Sequence, residues 1–173
     1  MNSFAELAVK RYSQRAYDPN RAVSRDLIVQ ILETVRFAPS AANKQAWEIL
    51  VLESSAARNR IHAAYTRDWF MAAPCIIVIK GSLSQAWVRP FDGYNSLETD
   101  LAIAMDHLTL AAADAGLGTC WIGNFEPDVV SEALALNDDE KVFALTPLGY
   151  APPDYMRPAQ KPRKSLGEIV HYL

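Results

Sequence analysis

Residues 97–115, LETDLAIAMDHLTLAAADA, read as a helix that is apolar almost all the way round. Leu101, Ile103, Ala104, Met105, Leu108, Leu110 and Ala111–Ala113 leave only a narrow polar strip. Such a helix needs cover on every side, either from the core of its own domain or from another subunit. A chain of 173 residues is long enough for one well-buried domain and short for two, so the remaining elements must be built around this helix. Gly116 follows where a left-handed C-terminal cap belongs.

The flanking segments predict an α+β arrangement. Ser3–Glu6 fits a capping box that opens a helix ending near Arg11. A second helix begins after Ser24, with Leu27, Ile28, Ile31, Leu32 and Val35 on one face, and Pro39 closes it. The stretch APSAANKQAW is a loop, and residues 48–53, EILVLE, form a strand with apolar residues on both faces. Ser54 caps a third helix carrying Ile61 and Tyr65. The plainest strand is CIIVIK, residues 75–80, β-branched and introduced by Pro74. Residues 81–96 read as a loop, residues 119–122 as a third strand, and Pro127 opens a short helix through Leu134. Residues 142–148 give a fourth strand, in which Pro147 favours an edge or a bulge. The four prolines between 151 and 162 predict an extended arm, and the apolar Ile169, Val170, Tyr172 and Leu173 give it an end suited to docking on a neighbour. No repeat or composition break divides the chain, so the expectation is one domain over 1–173 with 151–173 as a C-terminal arm.

Several functional classes are excluded. No apolar run reaches the roughly 18 residues that span a bilayer, and the N-terminus lacks a secretory core, so no membrane partner and a cytoplasmic location are expected. Net charge of −3 speaks against general nucleic-acid binding. Cys75 and Cys120 lie in apolar runs and read as buried free thiols. His62, His107 and His171 are too scattered for a metal site. There is neither a G-x-S-x-G elbow nor a Walker loop, and no catalytic side chain stands out. Gly116–Trp121, GLGTCW, fails the dinucleotide fingerprint at Trp121 and precedes a strand where the fingerprint follows one.

The charge distribution is uneven. Residues 10–25 and 157–164 hold nine basic side chains and one acidic one, whereas the rest of the chain carries eight basic and nineteen acidic. If the backbone is extended at Arg11, Ser13 and Arg15, those side chains share a face suited to phosphate oxygens or an electron-rich heteroaromatic edge. A solvated helix end complementing its macrodipole would give the same composition. The Pro39–Gln45 loop offers a hydroxyl and two amides to the rim of a planar heterocycle, or serves as an ordinary connection. Trp121 suits the same ring or the core.

Taken in order between residues 11 and 171, four motifs resemble the FMN-dependent nitroreductase family. They are RYSQRAY, RFAPSAANKQAWEILVL, DLAIAMDHLTLAAADAGLGTCWIGNF and PRKSLGEIVH. The resemblance implies an α+β sandwich, with a mostly antiparallel central sheet flanked by helices, and an intertwined homodimer holding FMN at the subunit interface. It assigns Arg11 and Arg15, with Tyr12 and Ser13 beside them, to the flavin ribityl-phosphate or pyrimidine end, and Arg163 and Lys164 to the phosphate. Pro39, Ser40, Ala41 and Asn43 of the other subunit would line the ring, with Gln45 nearby. The Trp121–Ile122–Gly123 backbone would lie against the isoalloxazine and offer N–H groups near N5.

The implied activity is ping-pong hydride transfer from NADH or NADPH through flavin N5 to a nitroaromatic, quinone or similar small acceptor, with the flavin carrying the chemistry. Same-fold alternatives are reductive dehalogenation, dehydrogenation or a non-catalytic flavin-binding module. Two departures bear on substrate choice. The chain is short, leaving residues 65–70 or 84–95, with Trp69, Phe70, Trp87 and Phe91, as candidate roofs over the flavin. In the ring loop, Ala46 stands where the family has proline, and Lys44 adds a charge.

Overall fold

The computed structural model describes residues 3–173. Its centre is a four-stranded antiparallel sheet in the order β1-β2-β4-β3, made of β1 (Trp47–Leu52), β2 (Cys75–Ser82), β3 (Gly118–Thr119) and β4 (Glu140–Gly149). Strand β2 explains the layering. Side chains alternate across a strand, and here both sets are apolar. Cys75, Ile77 and Ile79 face one core, and Ile76 and Val78 face another. The first core is closed by α2 (Arg25–Val35) and α5 (Leu97–Asp114). The second is closed by α3 (Ser55–His62), α4 (Asp68–Met71) and α6 (Pro127–Leu134). This is the α+β sandwich expected, with helices on both faces of an antiparallel sheet.

The helix ends follow their sequence signals. Ser3, Ser24 and Ser54 each accept a backbone N–H through the hydroxyl, at the starts of α1 (Phe4–Lys10), α2 and α3. Gly116 takes φ +76 beyond α5, and the Leu117 N–H returns to the Ala112 carbonyl at 2.8 Å. Within this chain α5 is covered on one side only: Leu97, Leu101, Met105, Leu108 and Ala112 are buried, while Ala102, Ile103, His107 and Leu110 are half-buried.

Two strand expectations need correction. Pro147 lies in an interior strand, not at an edge. Leu145 exchanges both backbone bonds with Ile122, so by alternation the missing N–H of Pro147 points to the same side, toward β3. There the ladder is interrupted, and the Cys120 N–H donates to the Thr146 hydroxyl at 3.1 Å. The same gap cuts the third strand to Gly118–Thr119, leaving Ile122 as an isolated bridge.

Residues 150–165 have no strand or helix and are mostly exposed. They run to α7 (Leu166–Ile169), opened by the Ser165–Glu168 capping box. Leu166, Ile169, Tyr172 and Leu173 are exposed.

Candidate flavin site

The two basic segments converge. Helix α1 ends at Arg11 in extended backbone, and residues 13–14 join the sheet margin, with Ser13 bridging Thr119 and the Gln14 N–H donating to the Thr119 carbonyl at 2.8 Å. Gln14 is buried against β3, where a Cβ on Gly118 would sit 2.0 Å from its side-chain Cδ, so glycine is what permits the approach. Arg11, Ser13 and Arg15 share the face of the segment opposite Gln14, Arg15 being exposed and the other two half-buried.

The C-terminal segment is latched over them. Arg157 donates to the Val9 carbonyl at 3.0 Å, and its guanidinium lies 4.7 Å from the Tyr12 ring centre. Tyr12 stacks with Tyr155 at 6.4 Å. The result is a cavity of about 350 Å³ lined by Arg11, Tyr12, Ser13, Arg157, Lys161 and Arg163, among others. Lys164 follows Arg163 on the exposed arm and is not part of this lining.

Beneath the cluster is the Cys120 thiol. Burial pushes its pKa up; Arg15, a hydrogen bond with Ser13, Lys161 and Arg11 oppose that, in decreasing order. Three cations from both ends of the chain therefore act on one buried point. Trp121, next in sequence, is 40% exposed and packs edge-on against Phe143. Ile122 turns into the core and spends its N–H and carbonyl on Leu145. Among the described residues, the Trp121 and Gly123 N–H groups donate to no backbone or side-chain acceptor.

The Pro39–Gln45 loop does not line the basic cavity. It contains a 3-10 turn, Ala41–Asn43, and holds Ala42, Asn43 and Gln45 at φ 49, 55 and 49. Three non-glycine residues in left-handed backbone within four positions mark a constrained segment, which sequence reading missed because none is glycine. The Ser40 hydroxyl accepts the Gln45 N–H at 3.0 Å, and the Gln45 side chain donates to the Asn43 carbonyl at 3.2 Å. Asn43, Lys44 and Gln45 are exposed.

Of the four candidate roof aromatics, Phe70 is fully buried in the second core and cannot cover a ligand. Trp69 is tied edge-on to Tyr65 and stacked with Tyr17. Phe91 is 94% exposed on the 81–96 loop.

This combination of a sandwich with a basic cleft at one sheet margin and a strained polar loop defines a class. The Nitroreductase family profile matches residues 8–66 and 59–150, and the chain belongs to that family. A nitroreductase family protein from Clostridium difficile 630 is 32% identical, with 99% of this chain and 98% of that one covered and a TM-score of 0.90. An FMN reductase [NAD(P)H] from Bacillus subtilis is 28% identical, covering 99% of this chain and 74% of its own. A nitroreductase-type protein from Exiguobacterium sibiricum 255-15, in complex with FMN, shares the fold at TM-score 0.85 and 22% identity, over 100% of this chain and 98% of that one.

Proposed function

We propose that this chain is an FMN-dependent NAD(P)H oxidoreductase that reduces nitroaromatic, quinone or similar small acceptors, working as a homodimer with FMN between the subunits. The observation that carries the reading is the meeting of Arg11, Lys161 and Arg163 on one cavity, with Arg11 and Lys161 near enough to act on the Cys120 thiol. The donor set fits a flavin mononucleotide. A phosphate dianion calls for several charged N–H donors, and guanidinium forks with the Ser13 hydroxyl supply them.

Bound FMN supplies hydride acceptance from a nicotinamide and donation to an acceptor. A quinone, NADH and one proton become hydroquinone and NAD⁺. Arg11, Lys161 and Arg163 bind the phosphate end, with Lys164 adding charge from the arm. Tyr12, held between Tyr155 and Arg157, fixes the side of the cleft. Arg15 places positive charge at the pyrimidine edge, where electron density accumulates on reduction. The Trp121 and Gly123 N–H groups would be offered to the ring, while Ile122 anchors that backbone to β4. Pro39, Ser40, Ala41, Asn43 and Gln45 of the second subunit line the other side.

The need for a second subunit rests on what one chain leaves uncovered. The outward face of α5 borders an apolar groove of about 570 Å³, lined by Phe4, Leu7, Leu27, Ile31, Leu110 and Ala111 among others. The exposed apolar side chains of α7 and the terminal residues are of the kind that fill such a groove.

The test is an absorption spectrum of the purified protein, anaerobic titration with NADH and with NADPH, then turnover with menadione or a nitrofuran. A yellow protein that bleaches with nicotinamide and turns over is expected. A colourless protein that takes up no added FMN refutes the reading.

A further inference from the structure

The geometry points to Asp100 as a positioning residue that sets the ring-lining loop in its working conformation, an inference that rests on the flavin reading above. Asp100 is 2% exposed. It lies in the first turns of α5, yet neither carboxylate oxygen is given to the backbone of that helix. One oxygen accepts the Ala41 N–H at 3.0 Å, and the other accepts the Ser96 hydroxyl at 2.8 Å. Ser96 is itself 2% exposed, so the carboxylate is held from below and aimed at the loop.

The loop requires such a hold. Left-handed backbone at Ala42, Asn43 and Gln45 persists only where the surroundings over-determine it. At its exit the restraint is Gly81, whose absent side chain lets the Ala46 carbonyl approach; a Cβ there would lie 2.2 Å from that oxygen. Inside the loop the bonds are local: Gln45 N–H to the Ser40 hydroxyl, and Gln45 side chain to the Asn43 carbonyl. Local bonds shape a turn but do not fix where it stands. At the entrance that placement falls to Asp100, which ties Ala41 to α5 across 59 residues of sequence. Because α5 also presents the face assigned to the second subunit, Asp100 registers the loop against the element that would carry it to the partner's flavin.

Asp100→Ala removes both bonds. Asp100→Asn can keep both, its carbonyl oxygen accepting from Ala41 and its amide donating to the Ser96 oxygen. The experiment compares wild type, Asp100→Ala and Asp100→Asn for FMN affinity, visible circular dichroism of the bound flavin, and KM and kcat for menadione with NADH. Losing a buried bond to a charged group predicts about tenfold weaker FMN binding in Asp100→Ala, with an altered flavin dichroism and a KM rise exceeding the kcat fall. Asp100→Asn, which keeps both bonds without the charge, is expected between wild type and Asp100→Ala. If Asp100→Ala does not fold, Asp100→Ser, whose hydroxyl is too short to reach Ala41, takes its place. A variant that loses only thermal stability, with wild-type affinity, dichroism and KM, overturns the proposal. Wild-type protein that binds no FMN instead sinks the underlying flavin reading.

Discussion

Arg15→Ala removes the cation that most strongly opposes the burial of the Cys120 thiol, ahead of Lys161 and Arg11. The same charge is the one assigned to the flavin pyrimidine edge. A unit charge about 5 Å from a developing negative charge, at an effective dielectric of about 20, interacts by about 3 kcal/mol. Arg15 is exposed, and solvent screening reduces that to about 1.5 kcal/mol. If the loss falls on the reduced form alone, the two-electron midpoint potential drops by about 30 mV. The sign follows from charge: the reduced flavin is the more negative form, and removing a cation disfavours it. If the loss falls on both forms equally, the potential stays and FMN affinity falls about tenfold. Fluorescence titration gives the affinity, and equilibration with a reference dye gives the potential. Arg15→Lys, which keeps the charge, is expected between wild type and Arg15→Ala. Unchanged affinity together with unchanged potential in Arg15→Ala refutes the assignment of Arg15 to the flavin.

Gly118→Ala would drive a methyl group into the buried Gln14 side chain, which accepts the Tyr12 hydroxyl proton at 3.0 Å. A loss of about 1–3 kcal/mol and a fall of several degrees in Tm are expected in a thermal melt. Lys80 bonds Glu140 and Glu48, and the Lys80 hydrogen bond is the main cause holding the Glu140 carboxyl below its usual range. That stabilisation is present above the ordinary value of 4.5 and is lost as pH falls through the lower folded value; Lys80→Met should therefore flatten the acid side of a Tm-against-pH profile. Leu110→Glu places a charge in the apolar groove beside α5 and is expected to yield a monomer with little bound FMN, measured by light scattering and flavin absorbance. A variant that stays dimeric and yellow counts against that face as the subunit contact.

The strands were legible because their determinant is local composition, whereas their antiparallel order came only with the family resemblance and the two cores only with the structure. CIIVIK carries two apolar sets, and the structure sends them to opposite faces. Pro147 was misplaced because a proline in a strand says only that one N–H is missing, not which neighbour faces the gap. That depends on the Thr146 hydroxyl and Cys120, 26 residues apart. The exposure of Phe70 is not encoded in its local sequence; packing against Tyr65 and His62 decides it. The left-handed backbone of Ala42 and Gln45 left no composition signal, since glycine is absent there and only Asn43 is of a type that adopts it readily. Asp100 resembled an ordinary acidic residue near a helix start, and only its bond to Ala41 distinguishes it.

The concentration of charge at the chain ends becomes effective through groups that stay neutral. A cationic cluster loses its pull on an anion if an ionised group beneath it supplies the countercharge. Burial is the leading cause raising both Cys120 and Tyr17, so near neutral pH each keeps its proton and leaves Arg15, Lys161 and Arg11 uncompensated from inside. Asp18, the one acidic residue in the two basic segments, has a carboxylate oxygen turned to the Asn20 N–H at 2.9 Å. Outside the two basic segments the chain carries nineteen acidic and eight basic side chains, an excess that disfavours an anion there on average. A net charge of −3 is therefore compatible with a local anion site, because basic side chains from both ends of the chain meet on one cavity. Tyr12, Tyr155 and Arg157 complete the arrangement, because without their latch the second basic segment would be a free arm and its charges would be screened separately in solvent.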